Sequence, residues 1–250
     1  MRVSIVVPFP TKFRLPAALL ILFSGLQPLA AAETPVYSVF RVPSPIRVDG
    51  RLDEAAWSAV SPVGPFVNNR DGSPTDLKTE ARIVYDDRFL YFAFRSWDEN
   101  IWSTFRARDA HLWEEEVVEV FIQADPVHPS YIELEVNPLG ALLDIFLLDI
   151  RKPLPYGSWN PDVRWAVQVV GSVDGKEGDR EWSCEIAFPL RDVVTAPHLP
   201  PGPGDRWRVN LYRVEKLPDP AGLAWSPTGR ADFHIPSRFG EIVFSHRVAR

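Results

Sequence analysis

Residues 131–148 read YIELEVNPLGALLDIFLL, and this stretch decides the fold class. Apolar and polar side chains alternate over residues 131–137, which is typical of a strand with one buried face. The following Asn137-Pro138-Leu139-Gly140 has the composition of a tight turn, and residues 142–148 predict a second strand. The stretch therefore predicts an antiparallel hairpin.

Strand patterns of this kind recur along the chain. They cover residues 79–85, 90–97, 117–124, 163–173, 182–188, 207–215 and 239–244. Asp86-Asp87 and Asp174-Gly175 supply turns between neighbouring segments. The 25 prolines lie mostly outside these segments, because proline cannot donate a hydrogen bond to a sheet. We predict an all-β fold, a two-sheet antiparallel β-sandwich of jelly-roll type.

One short helix is expected near the N-terminal end of the sandwich. Asp53 is placed to cap residues 54–57, and Pro62 follows as a stop signal. The remaining sequence is poor in long helical periods, so this helix is the exception in an otherwise all-β prediction.

The first 32 residues have the pattern of a secretory signal. Arg2, Lys12 and Arg14 precede an uncharged apolar stretch over residues 15–29, and Ala30-Ala31-Ala32 supplies small residues for cleavage. A membrane span is the alternative interpretation, but it needs about 20 apolar residues. This run is shorter and contains prolines, which favours export.

We therefore predict a signal peptide at residues 1–32 and a single domain at residues 33–250, periplasmic or secreted and not inserted in a membrane after cleavage. The signal holds three of the 27 basic residues and none of the 33 acidic ones, so the domain has a net charge of −9. Such a surface repels phosphate backbones, which argues against nucleic acid as a partner.

Cys184 is the single cysteine and lies in an alternating segment, which predicts a buried apolar thiol.

Nine tryptophans divide into two groups by their context. Five lie in predicted strands or in the short helix, where we expect core packing: Trp57, Trp97, Trp165, Trp182 and Trp207. Four lie in polar or Pro/Gly-rich connections: Trp102, Trp113, Trp159 and Trp225. A large aromatic side chain in such a connection either folds back on the core or presents its face to a ligand, and both outcomes stay open at this point.

Trp113 and Glu119 suit the chemistry of a sugar ring. One face of a pyranose is largely C–H and loses water cheaply against an aromatic ring, whereas its hydroxyl edge needs hydrogen-bond partners. The connection would present the Trp113 face, and the strand at residues 117–124 would hold the Glu119 carboxylate. Glu119 lies among apolar neighbours, so a pairing with an arginine elsewhere in the fold is the structural alternative.

Six stretches, in order, resemble family 9 carbohydrate-binding modules. They are residues 48–57, 84–91, 113–122, 131–140, 182–189 and 233–240, and the fourth contains the pattern Tyr-x-Glu-x-Glu-Val-Asn-Pro-x-Gly. The resemblance implies a β-sandwich related to DOMON domains and non-catalytic binding of oligo- or polysaccharides linked to polysaccharide breakdown. It also implies structural calcium.

The resemblance further implies a set of ligand-binding residues. Modules of this family clamp a sugar between two tryptophans. Trp113 matches the first tryptophan, and Phe233 stands where the second is expected. Glu119 matches a polar contact from the strand that follows Trp113.

Two positions depart from the family pattern. Phe233 offers a smaller stacking face than tryptophan, and Glu135 replaces an arginine that contacts sugar in other members, which reverses the charge. Asn137, in the same strand as Glu135, is expected to hold sugar hydroxyls together with Glu119 and Glu135. His234, beside Phe233, would either serve a ligand or make a local hydrogen bond.

Two other functions remain open from the sequence. A glycoside hydrolase needs two carboxyl groups about 5 to 10 Å apart, and Glu133 and Glu135 would lie about 7 Å apart on one face of their strand. The alternative for that pair is a solvated or hydrogen-bonding outer face. A haem-binding module would need an axial ligand, and residues 33–250 contain no methionine and no Cys-x-x-Cys-His motif.

Metal ions are the last class of ligand to consider. Catalytic zinc would need paired histidines at ligand spacing, and none of the five histidines is paired in that way. Calcium takes scattered carboxylate and carbonyl oxygens instead. Asp49, Asp53 and Asp144 are the candidate calcium donors.

Overall fold

The computed structural model describes residues 34–249, so the predicted signal peptide lies outside the described residues. This part contains thirteen strands and one α-helix. The strands are β1 Val36–Arg41, β2 Val67–Asn68, β3 Thr79–Tyr85, β4 Phe89–Trp97, β5 Val117–Gln123, β6 Tyr131–Val136, β7 Leu142–Asp149, β8 Lys152–Pro153, β9 Arg164–Val170, β10 Glu181–Pro189, β11 Arg206–Glu215, β12 Ala221–Ala224 and β13 Gly240–Val248. The helix α1 covers Ala55–Ser58, and 3-10 turns cover Leu112–Glu114, Leu190–Asp192 and Pro236–Arg238. Within residues 34–249 no helix is both long and apolar enough to cross a membrane.

All nine segments predicted as strands are strands, and their bounds agree closely. The hairpin quoted first forms as expected, since β6 and β7 are antiparallel and pair Tyr131 with Leu147 and Val136 with Leu142. Gly140 in its turn has a φ of +78°, a left-handed conformation that glycine adopts without strain. Hairpins β3–β4 and β9–β10 form at the other two predicted turns.

The strands form one curled, mixed sheet. Its order is β8-β7-β6-β5-β11-β13-β1-β3-β4-β10-β9; β12 also pairs with β11, and β2 pairs with β12. Strand β1 is parallel to both of its neighbours, because Val36–Val39 pairs with β13 and the last two residues pair with β3. The all-β prediction is confirmed, whereas two purely antiparallel sheets are not what the chain forms. The difference arises because β1, which is not among the predicted strands, joins the two halves through parallel pairs.

The main core lies between the two halves of the curled sheet. Phe92 of β4 and Ile186 of β10 belong to the same buried cluster as Val120 of β5 and Leu134 of β6. The sheet therefore curls until these strands face each other. Cys184 is a fully buried free thiol in this core, as predicted.

Strands β5 and β6 have a second, outer face that positions the site. Successive side chains of a strand point to opposite faces. Val120 and Leu134 fill the main core, so the neighbouring glutamates of both strands point to the outer side. A second apolar cluster lies there, and it includes Phe121 and Tyr131 together with Leu112 and Phe239 from the connections.

The short helix α1 forms, but Asp53 does not cap it. The N-cap residue is Glu54, which makes no side-chain capping hydrogen bond, and the Asp53 carboxylate pairs with Arg51 at 3.1 Å. Trp57 is buried and donates a hydrogen bond from its indole Nε1 to Glu185 at 2.8 Å. Packing of one tryptophan therefore holds the helix in place, and capping does not.

The burial of the tryptophans agrees in part with the burial predicted from their sequence context. Of the group expected in the core, Trp57, Trp182 and Trp207 are buried, while Trp97 and Trp165 are half-buried. Two members of the loop group fold back: Trp225 is buried, and Trp159 packs against Phe146 with ring centroids 5.7 Å apart. Trp113 is half-buried on the outer face, where the site lies.

Candidate functional site

A cleft of about 550 Å³ lies on the outer face of β5 and β6. Aromatic side chains from the connections form its walls, and acidic side chains from the strands form its base. Five of the six residues that the sequence singles out line it: Trp113, Glu119, Glu135, Phe233 and His234. The structure therefore brings most of the predicted site together, and their role in ligand binding remains a prediction.

Trp113 lies in the 3-10 turn Leu112–Glu114, which directly precedes β5. Its indole ring stacks on His111, with ring centroids 4.5 Å apart and planes inclined by 21°. Tyr156 lies 6.2 Å from the same indole by ring centroids and also lines the cleft. One face of Trp113 is thus engaged by the protein, which fixes the orientation of the ring.

Phe233 forms the other aromatic wall. Its ring lies parallel to that of Tyr212, with centroids 4.2 Å apart and planes inclined by 3°. It also packs over Gly222, where a β-carbon would lie 3.0 Å from the Phe233 ring. Glycine at position 222 therefore leaves room for the phenyl ring.

The base of the cleft consists of Glu119, Glu133 and Glu135, here called the acidic base. Glu119 on β5 lies directly opposite Glu135 on β6, and Glu133 is two residues away on the same face. Each offers a carboxylate oxygen within 4.8 Å of the others. Their exposed fractions are only 2%, 4% and 0%, respectively, and both Glu135 oxygens lack a hydrogen-bond partner among the described residues.

Burial dominates the electrostatics of the acidic base, because it penalises the charged form. It raises the pKa of Glu119 and Glu135 well above the usual range, and the neighbouring carboxylates add to the effect. It raises the pKa of Glu133 to about 7. The three carboxyl groups of the acidic base are therefore harder to ionise than exposed glutamates. For Glu133 and Glu135, the sequence-based alternative was a solvated or hydrogen-bonding outer face, and its solvated form is wrong, since both side chains are buried.

Charged and polar groups complete the lining of the cleft. Tyr131 Oη and His234 Nδ1 are hydrogen-bonded at 2.9 Å, which is the local hydrogen bond considered for this histidine. Burial lowers the pKa of His234, so its imidazole is neutral near pH 7. Arg151 pairs with Asp232 at 2.8 Å, and both residues line the cleft.

Asn137 is the one predicted site residue that the structure does not bring to the cleft. Its side-chain amide donates to Ser103 Oγ at 2.7 Å and to the Phe105 carbonyl at 2.8 Å, and its oxygen accepts from the Ala141 amide. The side chain is fully buried, and its hydrogen-bonding groups are engaged by the protein. Asn137 ties the connection before Trp113 to the β6–β7 turn instead of facing a ligand.

The lining residues that the sequence does not single out include Arg151, Tyr156 and Asp232. Tyr156 lies in a Pro- and Gly-rich connection that also contains Trp159, so its context carried the same signal as the loop tryptophans. Arg151 and Asp232 lie in connections far apart in the sequence, and no local pattern marks them as partners.

Two further acidic groups of the described residues lie outside the cleft. Asp49, Asp53 and Glu54 have carboxylate oxygens within 4.8 Å of one another, and Glu54 Oε2 is buried without a hydrogen-bond partner among the described residues. The predicted calcium donors thus converge in part. Asp144 lies apart from them on β7 and pairs with Arg108 at 2.8 Å.

The other acidic group contains its own cation. Asp98, Glu116 and Glu215 are buried and close together, and Arg213 pairs with Asp98 at 3.1 Å and with Glu215. Burial and the neighbouring carboxylates raise the pKa of Glu116 to about 10. This group is an internal ion-pair network beneath the connections.

Solved structures share this fold. A proposed carbohydrate-binding protein of Bacteroides uniformis superposes with a TM-score of 0.72 at 21% identity, covering 85% of this chain and all of that one. A family 9 carbohydrate-binding module of Caldicellulosiruptor kristjanssonii, in complex with glucose, gives a TM-score of 0.56 at 17% identity over 85% of this chain and 96% of that one. Its complex with cellotriose gives 0.57 at 16% identity over 85% and 94%.

The sequence also matches a known protein and a family model. An extracellular protein of Arthroderma benhamiae is 27% identical over 202 residues, which cover 75% of this chain and 86% of that protein. Residues 55–244, most of the described part, match the model of carbohydrate-binding family 9. Because this match covers most of the chain, the chain belongs to carbohydrate-binding family 9.

Proposed function

We propose that this chain is an exported, non-catalytic carbohydrate-binding protein linked to polysaccharide breakdown. A sugar ring lies between the faces of Trp113 and Phe233, and the acidic base holds its polar groups. The observation that carries the proposal is the convergence of these two rings, from separate connections, on one cleft with carboxyl groups at its base.

The two aromatic walls of the cleft are held in fixed orientations before a ligand binds. Trp113 is stacked on His111 and Phe233 on Tyr212, so each ring has one face held by the protein. A ring that is fixed before binding loses little freedom when the ligand arrives. Stacking of this kind contributes about 1 kcal/mol per aromatic ring beyond the burial of area.

Relatives support a sugar as the ligand and export as the destination. The Caldicellulosiruptor module is solved with glucose and with cellotriose, and the Arthroderma relative is an extracellular protein. A second cavity of about 290 Å³ shares Val214, Ala231 and Phe233 with the cleft. A ligand longer than one ring has room to continue past Phe233.

Calorimetry with a panel of plant oligosaccharides tests the proposal. We expect dissociation constants between about 1 mM and 1 µM. Trp113→Ala should abolish measurable binding and change the melting temperature little, because the side chain is half-buried on the outer face. Trp159→Ala is the matched control: it removes a ring that packs on Phe146 and Phe188, so it should lower the melting temperature and keep the affinity. Unchanged binding by Trp113→Ala would contradict the proposed site.

Two competing functions have distinct readouts. A hydrolase would use one ionised and one protonated carboxyl group of the acidic base to release reducing sugar. Reducing-sugar release in the same samples would overturn the non-catalytic assignment. A Soret band in the purified protein would favour haem over sugar.

The proposal includes a structural calcium ion, as the family resemblance implies. The donor set of Asp49, Asp53 and Glu54 offers three carboxylates and a buried oxygen without a partner, and calcium would replace Arg47 and Arg51 as partners of the two aspartates. Bound there, calcium would cross-link the segment that leads into α1 and would contribute stability but no chemistry. Asp144 is not a donor in this proposal, since it lies on β7, outside this group of carboxylates.

A further inference from the structure

The acidic base lacks a balancing cation among the described residues. Its three carboxyl groups are at least 96% buried and lie within 4.8 Å of one another. A buried carboxylate is costly unless a cation or hydrogen-bond donors accompany it. Glu135 has neither, because both of its oxygens are buried in the cleft lining without a described partner.

The nearby cations of the described chain are engaged elsewhere. Arg151 lines the cleft, but it is largely exposed and its guanidinium is bonded to Asp232 at 2.8 Å. Arg213, on the strand next to Glu119, is bonded to Asp98 and Glu215. Lys216 lowers the pKa of Glu119 only through its field, against the larger effect of burial. A cationic group on the ligand would supply the charge that these side chains do not, and it would stabilise the ionised form of the acidic base.

We propose that the ligand of this cleft is an amino sugar, a hexosamine whose ammonium group is bound by Glu119, Glu133 and Glu135. This proposal rests on the carbohydrate-binding function and names its substrate class. An ammonium group has three N–H donors, one for each carboxylate. Charge-assisted N–H···O bonds of about 2.8 Å in tetrahedral directions separate their acceptors by about 4.6 Å. The oxygens of the acidic base lie within that range of one another.

One hexosamine accounts for both halves of the cleft. Its ring provides a C–H face for Trp113 and Phe233, and its ammonium group provides the charge that the acidic base lacks. The π-faces of the walls also attract a cation. A neutral hexose would use the walls but leave the carboxyl groups without a counter-charge, and a metal ion would use the base but not the walls.

The experiment is calorimetry at pH 7 on the purified protein with matched methyl glycosides. Glucosamine and galactosamine are compared with glucose, galactose and N-acetylglucosamine, so that each pair differs at one position. We expect a hexosamine to bind at least tenfold more tightly than its hexose and its N-acetyl form, since the ion pairs are buried. Titrations of calcium chloride and magnesium chloride alone run alongside.

Variants assign the preference to the acidic base. Glu135→Gln keeps the shape of the side chain and removes its charge, and it should reduce the affinity ratio of glucosamine to glucose to near one. Glu133→Gln should act in the same direction and serves if Glu135→Gln does not fold. Glu116→Gln is the matched control, because Glu116 is another buried glutamate with an unpartnered oxygen but lies outside the cleft lining. Its ratio should equal that of the unaltered protein.

Each other outcome has one meaning. Equal affinity for hexosamine and hexose overturns the amino-sugar proposal and leaves carbohydrate binding in place. Binding of no sugar at all overturns both. A divalent cation that binds the unaltered protein but not Glu135→Gln, without any hexosamine preference, identifies the acidic base as a metal site and overturns the proposal.

Discussion

Glu133 couples the stability of the protein to pH. Burial raises its pKa to about 7 in the folded protein, against about 4.3 for an exposed glutamate. Between these values Glu133 binds more protons in the folded state than in the unfolded state, so its contribution to the free energy of unfolding falls as the pH rises through the window and levels off above it. The groups around it are Glu119, Glu135, Tyr131, Tyr156, Arg151, Asp232, His234 and Lys216.

Glu133→Gln should make this decline shallower between pH 5 and pH 8. Urea unfolding at four pH values across that range measures it. Glu114→Gln, an exposed glutamate of the adjacent turn, should keep the slope of the unaltered protein. Equal slopes for Glu133→Gln and the unaltered protein would show that Glu133 does not titrate as described.

Residues were predictable where neighbours in the sequence are neighbours in space. Trp113 and Glu119 are six positions apart, and the turn and strand between them carry both to one cleft. Asn137 shows the limit, because its partners Ser103 and Phe105 lie on a connection whose path no local pattern describes. Family resemblance placed Phe233, which lies more than a hundred positions from Trp113.

At the scale of elements, alternation was a sufficient guide to strands but not to their partners. The nine predicted strands all form, since a two-residue period with one apolar face is local information. The parallel pairing of β1 with β13 joins residues at opposite ends of the described chain, and no turn between them marks the pair. Strands β2 and β8 have two residues each, too few for a period to show.

Calcium binding at the segment before α1 should stabilise the protein. If Asp49, Asp53 and Glu54 bind calcium, the ion stabilises the folded state by about 2.7 kcal/mol at a hundredfold excess over its dissociation constant. Each kcal/mol shifts the melting temperature of a domain of this size by about 2–4 °C. Calcium should thus raise it by at least about 5 °C, and a chelator should reverse the rise.

Asp53→Asn should lose most of this calcium response in a thermal melt. Asp162→Asn, which removes an exposed carboxylate paired with Arg191, should keep it. A rise of equal size in both variants would place the ion elsewhere, and no rise in the unaltered protein would remove calcium from the proposal.

The whole molecule makes the cleft by bringing distant connections over one face of a curled sheet. Residues 113, 156 and 233 supply its aromatic walls, whereas β5 and β6 supply its base. The direction of each strand side chain follows from alternation, so the outward placement of the glutamates was predictable. Their burial was not, because it depends on the connections that cover the outer face.

The most direct measurement is a crystal structure of the protein with the glycoside that binds most tightly in calorimetry. We predict that its ring lies between Trp113 and Phe233, with an ammonium or hydroxyl group within hydrogen-bond distance of Glu119 or Glu135. A glycoside bound elsewhere on the surface, with nothing between these two rings, would contradict the proposed function.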